Sequence, residues 1–545
     1  MCCGKNGMII DNFLKKDIVK FCSYPKEAPG WIDGVYYPRV MNVSDTTIVN
    51  EKGGSARFHV KAWKEIEETG YGVYFYEEAP NVVLKLDNVN YDVTIVLANP
   101  TDADYKAHVR ANNVVKAAEV IVESGKEQEV SFAVPVYTGE LRLSILPGFL
   151  SELSAEALEG DIYIKEIRIT ECAAKEPATK PTLFLASDST VQPYGEKNYP
   201  QTGWGQPLYL FFGPEKEGED LHLADRVVEL PGIIINNRAI AGRSSRSFLE
   251  EGRLDEILLA INKGDFVLIQ WAHNDGNKVR PNRYVSPVDY PVFIGYYVDG
   301  ILQRGATPIL VTAVTMRNCD WNENKEFTIA FPEYRYELMK FAAERNLPLI
   351  DLGKKSCELV AEHGPEGSKS IYMWIKEGQY PDSAFAAGCT DNAHLKVYGA
   401  MLFANIVAKS IAEYDADDRL DVLKELVCPR DYIENPEEGM DWSAGDEEGV
   451  IGGFLMHELS IDGAQANFLL NWNRVEKASL YRVYRREKSE KDYAVVREVT
   501  KDEKDNATTL PFAAPANKIY EFYVAAFDEA GKEISKSKVI EVKAM

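Results

Sequence analysis

The chain has 545 residues, 45% of them hydrophobic and 27% charged, a composition typical of folded proteins that excludes a peptide, a single small module or a disordered polymer. At roughly 100 to 200 residues per domain, this length predicts three or four domains. The 61 basic and 85 acidic residues give a net charge of −24, which opposes binding to nucleic acid or to an anionic lipid surface.

The amino-terminal segment lacks an export signal, because Asp11 interrupts the apolar run before a signal-peptide core can form. This predicts a cytoplasmic location, whereas a chain that had lost its signal would be secreted. The strongest apolar run, 266–272, has the length of a buried strand, so we expect no membrane-spanning helix. The eight cysteines show no Cys-x-x-Cys spacing, which favours reduced structural thiols over a zinc site or a disulfide framework.

Two segments of different pattern make up the first three quarters of the chain. Short alternating stretches separated by turn residues predict an antiparallel β-sandwich over residues 1–175, and a proline-containing linker follows. From residue 182 to 427, apolar strands alternate with amphipathic helices, which predicts an α/β domain with a parallel sheet covered on both faces. Catalytic residues of such domains lie at the carboxyl ends of the strands.

The remaining residues predict a connector and a second β domain. Residues 434–448 contain seven acidic residues and no basic one, so we expect the linker at 428–455 to be extended and solvated. Strand-like segments return over 456–545, where an early tryptophan and a Tyr-x-Val-Tyr run resemble a fibronectin type III β-sandwich.

Polar residues that can carry ester chemistry lie near both ends of the α/β segment. Ser189 follows the first strand at a predicted strand-to-helix turn, where a nucleophile would be exposed near a helix amino end, although helix capping explains the same residues. Asp391 and His394 are three residues apart before the last helix. Asp391 can therefore fix the His394 tautomer that takes a proton from Ser189, unless the two are merely a surface acid and a helix-flanking histidine.

Gly242 and Asn274 follow the second and third predicted strands. A glycine lets a backbone N–H approach a substrate, and an asparagine amide can donate to an oxyanion. Each segment alone is more often only a turn. Because four such segments fall at strand ends or in the terminal loop, chance is a poor explanation for the set.

The order Ser189, Gly242, Asn274, His394 matches the four blocks of the SGNH (GDSL) hydrolase superfamily. The surrounding residues, including Thr202-Gly203-Trp204-Gly205-Gln206 and His273-Asn274-Asp275-Gly276, resemble the rhamnogalacturonan acetylesterase branch over residues 182–414. Ser187 departs from the family pattern, which has glycine there, and we expect a small effect on the turn.

This resemblance implies a flavodoxin-like three-layer hydrolase domain that forms an acyl-enzyme without a metal or cofactor. It also implies that the N–H groups of Ser189 and Gly242 and the Asn274 amide hold the oxyanion, with a catalytic triad of Ser189, Asp391 and His394. The flanking domains lie outside the match. The amino-terminal one resembles the jelly-roll, galactose-binding-like modules attached to such esterases.

Two acid-free segments, 237–247 and 276–285, each carry three basic residues, which favours an anionic sugar, although each residue by itself can equally be part of the scaffold. The candidate substrate-binding residues are Trp204, Arg243, His273 and Arg280. The leading hypothesis is an O-acetylesterase of pectic, rhamnogalacturonan-type oligosaccharides or polysaccharides. Two alternatives remain: an acetylesterase of xylan or mannan, and a chiefly carbohydrate-binding or scaffold protein that uses Trp31, Trp63, Tyr74 and Tyr76.

Overall fold

A computed structural model provides the structure of the chain. It describes residues 7–10, 20–21, 31–32, 35–36, 56–66, 72–76 and 81–544, with gaps at 113, 149–158, 174, 176, 178, 214–220, 222–223, 278–282, 318–327, 439–450, 452–454, 463–464, 473–474, 476 and 506–508. The chain divides into two compact units. The first comprises residues 1–186, 243–310 and 340–347, and the second comprises residues 187–242, 311–339 and 348–545.

The amino-terminal part of the first unit is all β. Its strands are β1 (Gly7–Ile10), β2 (Lys20–Phe21), β3 (Trp31–Ile32), β4 (Val35–Tyr36), β5 (Ala56–Ile66), β6 (Gly72–Tyr76), β7 (Asn81–Lys85), β8 (Asn90–Ala98), β9 (Tyr105–Ala111), β10 (Val114–Val122), β11 (Glu127–Pro135), β12 (Glu140–Pro147) and β13 (Glu159–Glu171).

These strands form two principal antiparallel sheets, with the orders β11-β8-β13-β5-β6 and β10-β9-β12-β7-β2, and β1 pairs with β13. Alternate residues of both sheets enter one apolar core that includes Ile95, Val109, Leu143 and Ile167, each fully buried. The predicted antiparallel sandwich is therefore present. The side chains of Trp31, Trp63, Tyr74 and Tyr76 lie outside the described part of the chain.

The α/β segment follows in both units. Its strands are β14 (Thr182–Ala186), β15 (Val227–Glu229), β16 (Ile234–Asn237), β17 (Phe266–Gln270), β18 (Thr307–Val311), β19 (Leu349–Ile350), β20 (Tyr372–Ile375) and β21 (Cys389–Leu395). Its α-helices are α1 (Ser245–Glu250), α2 (Arg253–Ala260), α3 (Tyr290–Leu302), α4 (Pro332–Glu344), α5 (Leu352–Gly367), α6 (Val397–Ala412) and α7 (Asp421–Lys424).

The predicted parallel sheet is present in the first unit, where β14 pairs in parallel with β17 and β17 neighbours β18. All residues of β14 and β17 are buried, which explains why both strands are continuously apolar apart from their ends. In the second unit, β15 pairs with β16 and β20 pairs with β21, both antiparallel.

Polar contacts join the β-sandwich to helices of the α/β segment within the first unit. Lys116 of β10 forms a buried ion pair with Asp255 of α2, with Nζ 2.9 Å from Oδ2. Arg304, just after α3, donates to the Asn90 side chain at 2.7 Å and to the carbonyl oxygens of Leu258 and Val136 at 3.1 and 3.4 Å. Burial lowers the pKa of Arg304 to about 10. The interface therefore contains charged groups withdrawn from water.

The carboxyl-terminal part of the second unit is a β-sandwich with one short helix. Its elements are β22 (Leu455–Asp462), β23 (Gln465–Asn471), β24 (Leu480–Glu487), β25 (Ala494–Thr500), α8 (Lys501–Asp505), β26 (Thr509–Pro515), β27 (Lys518–Phe527), β28 (Glu533–Lys536) and β29 (Ile540–Ala544). The sheet orders are β22-β23-β26 and β25-β24-β27-β28, with β29 on β27, and Trp472, Tyr481 and Phe522 lie in the shared core.

Within the described ranges, no helix has the length and apolar character that crossing a membrane requires.

Candidate active site

Ser189 lies in the turn that follows β14, and its side chain is partly accessible while its neighbours Asp188 and Thr190 are buried. The Asp188 carboxylate accepts hydrogen bonds from the N–H and the hydroxyl of Thr190, each at 2.9 Å, which closes the turn. The predicted helix after Ser189 is absent: the turn at 189–191 is followed by irregular chain and a short 3-10 helix at Glu196–Asn198, and Pro193 lacks the N–H that a helix interior needs. No helix dipole therefore acts on Ser189 from this segment.

The structure brings Ser189, His394 and Asp391 together. The Nε2 atom of His394 lies 3.0 Å from the Ser189 hydroxyl oxygen, and Nδ1 lies 2.7 Å from Oδ2 of Asp391. The other carboxylate oxygen of Asp391 accepts the backbone N–H groups of Ala393 and His394 at 2.7 and 3.0 Å. The Asp391 side chain is 3% exposed and that of His394 is 17% exposed, so the imidazole is the more accessible end.

A bulge in β21 explains how Asp391 and His394 can touch. The sequence predicts a loop before a helix, but both residues lie on a strand. Between two pairings, β20 advances two residues from Tyr372 to Trp374, whereas β21 moves five residues from Leu395 to Thr390. The additional β21 residues leave the regular ladder, in which residues three apart would point to opposite faces. This irregularity re-aims the two catalytic candidates.

Side chains that sequence reasoning did not single out hold this bulge. The Asn392 side-chain oxygen accepts the Trp374 indole N–H at 2.8 Å, and the Asn392 carbonyl accepts the Arg317 N–H at 2.7 Å. The Arg317 guanidinium lies 4.5 Å from the Trp374 ring centroid and donates to Ser368 and to the Pro365 carbonyl. The only sequence feature that pointed to one of these supporting residues was the position of Asn392 inside the Asp-x-x-His motif.

Tyr194 supports the backbone of Ser189 from the protein interior. Its hydroxyl donates to the Ser189 carbonyl at 2.9 Å, and the residue is buried. Burial raises the pKa of Tyr194, and the negative charges of Asp188 and Asp391 raise it further. Tyr194 therefore stays a neutral hydrogen-bond donor throughout the pH range of ester hydrolysis.

The two predicted oxyanion donors occupy well-ordered turns. Gly242, in the second unit, has a φ of +76°, a left-handed conformation that favours glycine. In the first unit, the Asn274 amide donates to the Arg243 carbonyl at 2.9 Å. The next residue, Asp275, is fully buried and accepts both the N–H and the hydroxyl of Ser245, so it fixes the segment that carries Asn274 to the start of α1.

The candidate substrate-binding residues have different surroundings. Trp204 is 1% exposed, so a sugar cannot stack on it in this conformation. Arg243 forms an ion pair with Glu251 at 3.0 Å, while His273 is half-buried. Arg280 lies outside the described residues, as does Lys278.

The basic segment at 237–247 is partly neutralised by acids that lie beyond it. Besides the Arg243 pair, Arg246 is buried and its Nε lies 2.8 Å from Glu250. The expected positive field is therefore weaker than the acid-free segment suggests. The four-residue spacing of Arg246 and Glu250 was a visible signal of this pairing.

Among the residues that the structure describes, no group of three or more His, Cys, Asp or Glu side chains is arranged to hold a metal ion.

Comparison with known proteins identifies relatives of the hydrolase segment, although no family model matches the chain. A probable rhamnogalacturonan acetylesterase of Bacillus subtilis, YesY, is 36% identical over 244 residues, which are 45% of this chain and 98% of the relative. The rhamnogalacturonan acetylesterase RhgT of the same organism is 35% identical over 42% of this chain and 89% of its own length. The rhamnogalacturonan acetylesterase of Emericella nidulans is 32% identical over 46% and 91%.

These relatives define the class of this protein, which is a carboxylic ester hydrolase. The chain belongs to the rhamnogalacturonan acetylesterase family. These three matches each cover under half of the chain.

Proposed function

We propose that this protein removes acetyl groups from pectic, rhamnogalacturonan-type saccharides by a two-step acyl transfer. Ser189 attacks the acetyl carbonyl carbon while His394 Nε2 takes the hydroxyl proton. His394 then returns that proton to the sugar oxygen as the carbon–oxygen ester bond breaks. In the second step, His394 takes a proton from water, the resulting hydroxide attacks the acetyl-serine, and acetate leaves as Ser189 regains its proton.

The observation that carries this proposal is the continuous chain of hydrogen bonds from Ser189 through His394 to Asp391, at 3.0 and 2.7 Å. Asp391 fixes the tautomer with a proton on Nδ1, which leaves Nε2 as the base, and it stabilises the imidazolium that forms. Its two backbone donors keep the carboxylate in this orientation.

The proposed oxyanion donors are the N–H groups of Ser189 and Gly242 and the side-chain amide of Asn274. Negative charge develops on the carbonyl oxygen only when the tetrahedral intermediate forms, so fixed donors lower that barrier more than they strengthen substrate binding. The hydrogen bond from Asn274 to the Arg243 carbonyl and the Asp275 contacts with Ser245 supply the rigidity that such preorganisation requires.

The assignment to a pectic substrate rests on the relatives, two of which are named rhamnogalacturonan acetylesterases without qualification. In this proposal the catalytic domain spans 182–427, a connector spans 428–455, and the β-sandwiches at 1–175 and 456–545 are accessory. Because Arg243 and Arg246 are paired with acids, they contribute less to substrate charge recognition than their sequence positions imply.

Acetate release from acetylated rhamnogalacturonan oligosaccharides by the full chain tests the proposal. Ser189→Ala should lower kcat by on the order of 10⁴-fold to 10⁶-fold, as expected for removing a nucleophile. Ser489→Ala is the matched control, since Ser489 is exposed in the carboxyl-terminal sandwich. Retention of most activity in S189A would refute the triad assignment. Initial rates on acetylated xylan or mannan oligosaccharides that exceed the rate on acetylated rhamnogalacturonan oligosaccharides would refute the proposed substrate class, but not the proposed mechanism.

A further inference from the structure

A buried ion pair lies two residues along the chain from the proposed catalytic histidine. Lys396 follows His394 by two residues, and its side chain is 3% exposed. Its ammonium lies 2.5 Å from a carboxylate oxygen of Glu437, whose side chain is 9% exposed. The acidic connector was expected to be solvated, but Glu437, one of the seven acids of residues 434–448, is withdrawn from water.

The connector reaches this position along the surface of its own compact unit. The Cys428 N–H donates to the Phe211 carbonyl at 2.7 Å. The Arg430 backbone then exchanges two hydrogen bonds with the Asn405 side chain of α6, both at 2.8 Å. Asn435 contacts Ser370 at 3.3 Å. Successive contacts of this kind describe a docked segment rather than a free linker.

Glu437 is held by more than Lys396. Its second carboxylate oxygen accepts hydrogen bonds from the Gln379 amide at 2.8 Å and from the Tyr380 hydroxyl at 3.1 Å. The carboxylate and burial together raise the pKa of Tyr380, so this hydroxyl remains a donor. Both oxygens of Glu437 are therefore used, which fixes the direction in which it presents charge to Lys396.

Lys396 connects Glu437 to β20 and to β21, the strand that carries Asp391 and His394. Its ammonium also donates to the Trp374 carbonyl at 2.9 Å, and its backbone N–H donates to the Ile371 carbonyl at 2.9 Å. The indole of Trp374 in turn donates to Asn392 inside the bulge. Contacts from Glu437 thus converge on both ends of the segment from Asp391 to Lys396.

We infer that Glu437 is a positioning residue for His394, and that the connector as far as Glu437 is a working part of the catalytic unit. This inference rests on the proposed function. Glu437 fixes Lys396, Lys396 and Trp374 fix the bulge, and the bulge sets the distance between His394 and Ser189. Burial lowers the pKa of Lys396 to about 8 even with Glu437 beside it, so the ammonium depends on this carboxylate for its charge.

Steady-state kinetics of the full chain test the inference, with Glu437→Gln as the variant and Glu438→Gln as the control, because Glu438 is the adjacent acid and is exposed. We expect E437Q to lower kcat by about 10-fold to 100-fold, as for a misplacement of about 1 Å. KM should change by less than about twofold, because substrate contacts are untouched. A kcat of E437Q within twofold of that of E438Q would overturn the inference.

Glu437→Asp keeps the charge and covers the case in which E437Q does not fold. The aspartate side chain is one methylene shorter, so its carboxylate cannot reach Lys396, Gln379 and Tyr380 together. We therefore expect a folded protein with a kcat between those of wild type and E437Q. A wild-type kcat in E437D would overturn the inference. If the wild-type chain releases no acetate while E438Q and E437D fold normally, the proposed function fails instead.

Discussion

Replacing Asp391 by asparagine tests the tautomer on which the proposed mechanism depends. In the wild-type protein, one carboxylate oxygen accepts two backbone N–H groups, from Ala393 and His394, at 2.7 and 3.0 Å. In Asp391→Asn the amide oxygen should occupy this position, because an amide nitrogen cannot accept those donors. The amide nitrogen then faces Nδ1 of His394, which must accept a hydrogen bond. Nε2 becomes protonated and can no longer take the Ser189 proton.

The expected loss in kcat is on the order of 10⁴-fold, as for the same replacement in a serine protease triad, or about 5.4 kcal/mol at 1.36 kcal/mol per decade. Folding should be preserved, because both backbone hydrogen bonds remain and only one side-chain contact changes. The assay is acetate release under saturating substrate, with thermal unfolding measured in parallel. Asp382→Asn is the control for the same chemical change, since Asp382 is exposed. A kcat of D391N within tenfold of that of wild type would refute this reasoning.

Two further predictions concern stability. Lys116→Met leaves Asp255 buried without its ion-pair partner and should lower the free energy of unfolding by about 3 kcal/mol. The double variant K116M/D255N should regain most of this loss. Urea denaturation measures both variants, and a loss below about 1 kcal/mol in K116M would contradict the pairing. Burial lowers the pKa of His108 from 6.5 to about 4. The unfolded chain therefore binds a proton that the folded chain excludes, so the free energy of unfolding should fall by about 3 kcal/mol as pH drops from about 6.5 to about 4. In His108→Gln the free energy of unfolding should depend less on pH than in the wild-type protein, as measured by denaturation midpoints at each pH. Equal pH dependences in the two proteins would contradict this prediction.

The residues of the proposed triad could be predicted because ester chemistry restricts their types and order, but their local structure could not. The three-residue spacing of Asp391 and His394 predicts a tight loop, whereas both residues lie in a bulge of strand β21. The geometry of a bulge depends on contacts from the neighbouring strand, and Trp374, which contacts Asn392 in the bulge, lies 18 residues away from it in sequence. The turn after Ser189 shows the same limit, because the predicted helix is absent and Pro193 lies only four residues after Ser189.

Charge was the least predictable property, because a sequence shows where charges lie along the chain and not what they face. Residues 434–448 contain no basic residue, yet Glu437 pairs with Lys396, 41 residues away in sequence. Arg243 and Arg246 lie in an acid-free segment, yet they pair with Glu251 and Glu250 at the carboxyl-terminal end of α1. Counting charges by segment misses both sets of contacts, since the pairing that decides a local field is spatial.

The composition of the chain changes near residue 180, but the Arg304 contacts cross this boundary. The amino-terminal sandwich and the helices that follow it therefore depend on each other for folding. A fragment that began at β14 would keep the proposed triad, but it would lose the Asn90 and Val136 acceptors of the guanidinium and the Lys116 partner of Asp255. Anyone who shortens this enzyme to its hydrolase segment must therefore redesign the exposed faces of α2 and α3. The amino-terminal sandwich is therefore an intramolecular scaffold for α2 and for Arg304 at the end of α3.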